Sequence, residues 1–170
     1  TSALVNGDVV DVIVTSAAGC TGTSSGITMT VNANPAPTLS SDDVDNIICS
    51  GQSVVFTGSG GTNYEFFVDG TSVQNGAGTT YTTTTLLNGQ TVTVRVTNAA
   101  GCFATSAGVT TTVNPNPVAD AGPDQKMCQE AAIEIGGALT ASNGTPPYSY
   151  LWIPAAMLDD PYAANPAASP

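Results

Sequence analysis

The sequence predicts an all-β chain of tandem β-sandwich modules, one complete and two partial, and three observations carry the prediction. The stretch from Asn6 to Pro35, NGDVVDVIVTSAAGCTGTSSGITMTVNANP, returns from Asn88 to Pro117 as NGQTVTVRVTNAAGCFATSAGVTTTVNPNP, ungapped, at a constant offset of 82 and with 19 of 30 positions identical. That period exceeds the roughly 20–50 residues of solenoid and propeller repeats, so each copy belongs to a module able to bury a core of its own. Thr, Val, Ser, Gly and Asn dominate, only 9% of residues are charged, and no long segment has a helical period; such residues suit a pleated surface. Turn pairs such as Asp69-Gly70, Asn75-Gly76 and Asn88-Gly89 punctuate short apolar runs, as hairpins require.

Residues 1–35 read as the closing part of a module. Val10, Val12 and Val14 alternate with other residues along one strand, the Ser-Ala-Ala-Gly turn follows, and a second strand returns. Residues 36–117 form the complete module. A strand over 53–57 leads to a turn at Gly58–Gly61, then to the aromatic strand Tyr64–Val68, to Thr71–Val73, and to a Thr-rich run at 79–84 suited to an edge. The hairpin of Val92, Val94 and Val96, the Asn-Ala-Ala-Gly turn and a return through Val109, Thr111 and Val113 close it. About seven short strands with turns roughly every 8–12 residues is the pattern of an immunoglobulin-like sandwich. The Asn-Pro-Asn-Pro that follows cannot continue a ladder and reads as a stiff boundary.

Residues 118–170 begin a variant module. Cys128 precedes a strand at 133–135 as Cys49 precedes Val54 and Phe56, and Tyr148, Tyr150 and Trp152 share one face as Tyr64, Phe66 and Val68 do. The head of 35 residues and the tail of 53 together come close to one period. The expectation is either a window on a longer tandem array or a subunit whose tail is completed by the head of its neighbour, as in donor-strand complementation.

Composition excludes several function classes. Net charge is −11, with thirteen acidic side chains against Arg95 and Lys126 alone; a nucleic-acid partner requires clustered Lys and Arg to neutralise phosphate. With no His and two basic residues, most general bases, oxyanion clamps and phosphate cradles are unavailable, and the chain is expected not to be an enzyme. No apolar run approaches the ~18–20 residues of a membrane span.

Four cysteines allow three connectivities. Cys49 paired with Cys102 is favoured, which would contribute about 4 kcal/mol in the chain-entropy model, with Cys20 and Cys128 finding partners in neighbouring copies. In a seven-strand sandwich, however, turns holding Cys49 and Cys102 lie at opposite ends, beyond the ~7 Å reach of a disulfide; bonds between successive modules, or free buried thiols, are the alternatives. Either disulfide reading implies an oxidising extracellular compartment. Asp42, Asp43, Asp45, Asp120 and Asp124, with the pair Asp159-Asp160, are weak candidates for calcium, whose six to eight oxygen ligands linkers can supply, but they lack the glycine and distal Glu of an EF-hand loop. Solvated loop carboxylates are the plainer reading, and no other cofactor is expected. Tyr148, Tyr150 and Trp152 are candidates to stack on a sugar, although alternating aromatics more often fill a core.

The segments SGGTNYEFFVDGTSVQNG and YTTTTLLNGQTVTVRVTNAAGC resemble the immunoglobulin-like repeats of giant secreted cell-surface proteins of Bacteroidetes, including mobile adhesins of gliding species. ADAGPDQKMCQ, TASNGTPPYSYLWIPA and AANPAASP are similar to their PKD-like repeats, without the Gly-Asp-Gly that usually follows the tryptophan. The resemblance implies export by the type IX system, an extracellular cell-surface location and a long fibre used for adhesion or gliding. Expected partners are neighbouring modules, further copies of the chain, and surface glycans or other cells. The rival expectation is a spacer or carbohydrate-binding module of a secreted polysaccharide-degrading enzyme.

Overall fold

The computed structural model describes residues 3–169. Every regular element among them is a strand. Four lie in the head: β1 (Val9–Val10), β2 (Ile13–Thr15), β3 (Thr21–Thr23) and β4 (Ile27–Thr28). Ten follow: β5 (Thr38–Ser41), β6 (Ile47–Cys49), β7 (Val54–Ser59), β8 (Asn63–Val68), β9 (Thr71–Gly76), β10 (Thr80–Thr83), β11 (Thr91–Thr97), β12 (Phe103–Thr105), β13 (Val109–Thr110) and β14 (Thr112–Asn114). The last four are β15 (Pro117–Ala119), β16 (Ile133–Glu134), β17 (Ala141–Asn143) and β18 (Ala167–Ala168). The central ten form a three-stranded sheet in the order β10-β7-β5, a five-stranded sheet β12-β11-β8-β9 with β13 also on β11, and the pair β14-β6. The chain is all-β, as its composition and period-two patterning predict.

The described chain divides into two compact units. One comprises the segment through Ser40 with Phe56–Tyr81 and Thr91–Val109, the other Ser41–Val55, Thr82–Gln90 and the segment from Thr110 onward. In the first, Phe56, Tyr64, Phe66, Val92, Val94 and Val96 are buried. Tyr81 stacks on Phe56 at 6.4 Å and on Phe66 at 5.8 Å between centroids. Pairing of β11 with β8, Val94 opposite Phe66 and Val96 opposite Tyr64, sets valines beside aromatics on the core face, a cross-strand combination that stabilises sheets.

Gly58 belongs to β7 and not to a turn. A Cβ there would lie 3.3 Å from Tyr64 and Val94 and 3.4 Å from Phe66, so glycine is the residue that lets the sheets close. The turn comes later, at Gly60, whose φ is 108° and where a Cβ would meet the Ala36 carbonyl oxygen at 2.5 Å. Asn75-Gly76 likewise ends β9 and is not a turn, because the shift between Phe66 and Phe67 in the β8–β9 pairing lets the strand run on. Asp69-Gly70 is a tight turn as predicted, with φ of 48° and 80°.

In the second unit Ile48, Val54, Leu86, Val113, Thr83 and Thr111 are buried. β6 pairs in parallel with β14, Ile47 opposite Thr112 through Cys49 opposite Asn114. Further along, β15 pairs with β17 and β16 with β18. Tyr148, Tyr150 and Trp152 lie outside any strand; the expected β-ladder is not formed there. Their side chains still alternate, half-buried, with exposed Ser149, Leu151 and Ile153.

Candidate functional site

The repeat seen in sequence is also a repeat of hydrogen bonds. In the domain, Arg95 pairs with Thr105 and Thr97 with Phe103; 82 positions earlier, Ile13 pairs with Thr23 and Thr15 with Thr21. Ser106 donates its N–H to the Val94 carbonyl and its hydroxyl accepts from the Val94 N–H. Ser24 and Val12 make the same two bonds. The side chain of Asn88 accepts from the Val113 N–H at 3.0 Å, and that of Asn6 from the Val31 N–H at 3.0 Å. The turns match as well: Asn98 and Ser16 each cap their cysteine's N–H and accept a bond from the following glycine.

The two hairpins differ in what covers them. Val92, Val94 and Val96 are 0% exposed, while Val10, Val12 and Val14 are 44%, 57% and 64% exposed. The valine pattern is the same, and so is the local bonding. The difference is β8, which flanks β11 and has no counterpart beside β2, a strand of a two-stranded sheet among the described residues.

The aromatic run of the tail supplies the opposite feature. Tyr148, Tyr150 and Trp152 line a cavity of about 540 Å³ together with Val118, Asp120 and Thr140. The Trp152 indole donates to the Ala163 carbonyl at 3.0 Å and its backbone N–H to the Pro161 carbonyl at 2.9 Å. The Tyr148 hydroxyl donates to the Asn143 carbonyl. These bonds fix the run on one side. On the other, the backbone groups of Ser149 and Leu151 have no hydrogen-bond partner among the described residues.

The other predicted residues are not gathered into one site. The structure does not join Cys49 to Cys102: all four thiols are free, with Cys20, Cys49 and Cys128 exposed and Cys102 half-buried. Cys49 ends β6, and Cys102 sits in the turn before β12. The Cys102 thiol lies 3.7 Å from the Asn32 carbonyl, and Asn98 donates to the Ala33 carbonyl at 2.9 Å, pinning the preceding linker to the turn. Several of the carboxylates serve backbone N–H groups: Asp42 accepts from Val55 at 2.8 Å, Asp45 from Ile47 at 3.1 Å, Asp120 from Gly122 at 2.9 Å, and Asp159 from Ala167 at 2.7 Å, whereas one oxygen of Asp43 is buried without a hydrogen-bond partner among the described residues. Among the described residues no three His, Cys, Asp or Glu side chains gather as a metal-ligand set.

One constellation escaped the sequence reading. On the outer face of the five-stranded sheet, Arg95 pairs with Glu65, which also accepts from the Ser72 hydroxyl at 2.8 Å. The guanidinium lies 5.6 Å from the Phe67 ring centroid and 5.4 Å from that of Phe103, a cation–π arrangement in which the negative faces of the rings attract the charge. The alternation in TVTVRVT already put Arg95 outside, but which residue opposed it depended on register.

Residues 34–115 match the family model of an Ig-like domain, CHU_C associated, and cover the strands from β5 to β14. This segment is an immunoglobulin-like domain. Among solved structures, the chain matches one from a 1.5-MDa bacterial ice-binding adhesin, in work on its retention at the host cell surface, with 20% identity and a TM-score of 0.37. That match covers 76% of this chain and 44% of the other, so the chain spans less than half of that adhesin chain. No curated protein matches. The immunoglobulin-like domain has ten strands where about seven were expected, because its last stretch is broken into β12, β13 and β14 and because β5 and β6 form in the segment before the first expected strand.

Proposed function

We propose that the chain is a structural and adhesive repeat unit of an extracellular fibre on a cell surface, with modules bounded at 1–35, 36–117 and 118–170. The observation that carries this reading is the duplicated hairpin: the chain builds one element twice, at a fixed spacing, with the same bonds. Closed β-sandwiches joined by proline-rich linkers make a stiff rod. The acidic balance, −11 over 170 residues, keeps neighbouring rods apart. Export by the type IX route and a role in gliding belong to the same proposal, as do bonds from exposed Cys20, Cys49 and Cys128 to neighbouring modules and calcium held by the linker carboxylates. Antibodies raised against residues 34–115 should label extended fibres on intact cells in immunogold microscopy. Label confined to the cell interior would refute the reading.

The cavity beside Tyr148, Tyr150 and Trp152 favours a second reading, a carbohydrate-binding module of a secreted enzyme. Retardation of the chain in polysaccharide-containing native gels, lost in Trp152→Ala, would support it over the fibre.

A further inference from the structure

The exposed valines of the head and the unpaired aromatic run of the tail are the two halves of a contact that the domain itself displays. In the domain, β11 lies antiparallel to β8, with Val92 opposite Val68, Val94 opposite Phe66 and Val96 opposite Tyr64. The head repeats β11 at the offset of 82, so Val10, Val12 and Val14 stand where Val92, Val94 and Val96 stand. The tail repeats the β8 pattern, with Tyr148, Tyr150 and Trp152 in the places of Tyr64, Phe66 and Val68. We infer that the head hairpin of one chain adds as a strand beside Tyr148–Trp152 of a second copy, with Val10 opposite Trp152, Val12 opposite Tyr150 and Val14 opposite Tyr148.

Backbone direction agrees with this register. Val12 spends its N–H and carbonyl on Ser24, so by the alternation of a strand Asp11 and Ile13 turn theirs toward the other edge. Trp152 spends its N–H on Pro161, which leaves Ser149 and Leu151 facing the open side. The register sets Ile13 opposite Ser149 and Asp11 opposite Leu151, so the free groups of one edge meet those of the other. Side chains agree too. The valines, all exposed in the head, would enter the face on which the three aromatics line their cavity, as Val94 enters against Phe66. A one-residue slip would turn every valine outward, so the pairing is specific in register as well as in partner. The occupant is a second copy because the head, 82 positions before β11, carries the repeat of that strand with its valines exposed.

This inference rests on the repeat-unit reading and names the contact by which units join. The test uses the 170-residue chain with its four cysteines replaced by serine and two new ones introduced, Val12→Cys and Tyr150→Cys. Opposed residues of this non-hydrogen-bonded kind lie within disulfide reach, whereas diagonal neighbours at about 7–8 Å do not. Mild oxidation is expected to give a ladder of multimers on a non-reducing gel, several-fold stronger than for Val14→Cys with Tyr150→Cys. A single monomer band, whether bridged internally or with both thiols free, overturns the inference. Light scattering of the otherwise unaltered chain is expected to show mass rising with concentration, and Val12→Asp with Val14→Asp to abolish the rise while the melting of the domain stays in place. Mass that stays at one chain at all concentrations overturns it as well. Surface labelling of fibres on cells together with a monomer band would remove this contact and leave the repeat-unit reading standing.

Discussion

The same substitution made at two positions 82 residues apart separates what the hairpin's sequence determines from what its surroundings determine. Val94→Ala removes two methyl groups from a side chain that is 0% exposed and packed opposite Phe66. At about 0.8 kcal/mol for each buried carbon, plus a term for the cavity left behind, the loss is about 2–3 kcal/mol. For a domain of this size, each kcal/mol lowers the melting temperature by about 4–8 °C, so a fall of about 10–20 °C is expected. Val12→Ala takes the same atoms from a side chain that is 57% exposed. In dilute solution, where copies do not meet, its cost should stay within about 0.5 kcal/mol. Scanning calorimetry at low protein concentration, with guanidinium titrations to confirm that the transition is a single one, measures both. Equal losses at the two positions would refute the argument, since burial would then not be what distinguishes the twins.

Four further outcomes are expected. Asn88→Ala should cost about 1–3 kcal/mol in guanidinium titration, because it leaves the N–H of Val113, a buried residue, without its acceptor. Gly58→Ala should cost about 1–3 kcal/mol by forcing apart Tyr64, Val94 and Phe66, with Gly70→Ala as a control for backbone strain, since nothing lies within 4 Å of a Cβ there. Arg95→Ala should cost about 1 kcal/mol or less, because its contacts with Glu65, Phe67 and Phe103 lie on an exposed face, and raising salt should shrink that loss. Under native conditions a thiol reagent should modify Cys20, Cys49 and Cys128 rapidly and half-buried Cys102 more slowly. Protection of Cys49 and Cys102 together, relieved by reductant, would restore the disulfide between them.

The elements that sequence placed correctly are those whose period is dictated by burial. YEFFV and TVTVRVT alternate because one face meets the core, and β8 and β11 lie where that alternation says. What sequence could not place depended on contacts across the fold. Gly58 looked like a turn residue because glycine often is one, but it sits in β7, where a Cβ would press on Tyr64, Phe66 and Val94 across the core. Asn75-Gly76 has the composition of a hairpin turn, but pairing with β8 carries the strand through it. The candidate site was only partly legible. The Tyr148, Tyr150 and Trp152 face is visible from alternation, whereas its unpaired edge is not, because hydrogen bonding to a neighbouring strand leaves no mark on the strand's own sequence. The cysteines are legible only in part for a related reason: matching positions in two modules show that they are repeated, and which of them meet depends on the fold.

The parallel pairing of β6 with β14 has a mechanical consequence. Ile47, Ile48 and Cys49 run alongside Thr112, Val113 and Asn114 in the same direction, and the pair is lengthened by the bonds from Thr112 to Asn46 and from Ser50 to Asn114, each 2.8 Å. Tension applied through the polypeptide pulls β6 backward from its start and β14 forward from its end. Two parallel strands drawn apart in that way slide along their common axis, so every hydrogen bond between them is loaded at once and none can give way alone. A hairpin pulled from its open end would instead lose its bonds in succession, like a zip. β6 and the strand at the end of the immunoglobulin-like domain thus form a shear lock, in series with the β5–β7 pairing that a load from the N-terminal side meets first.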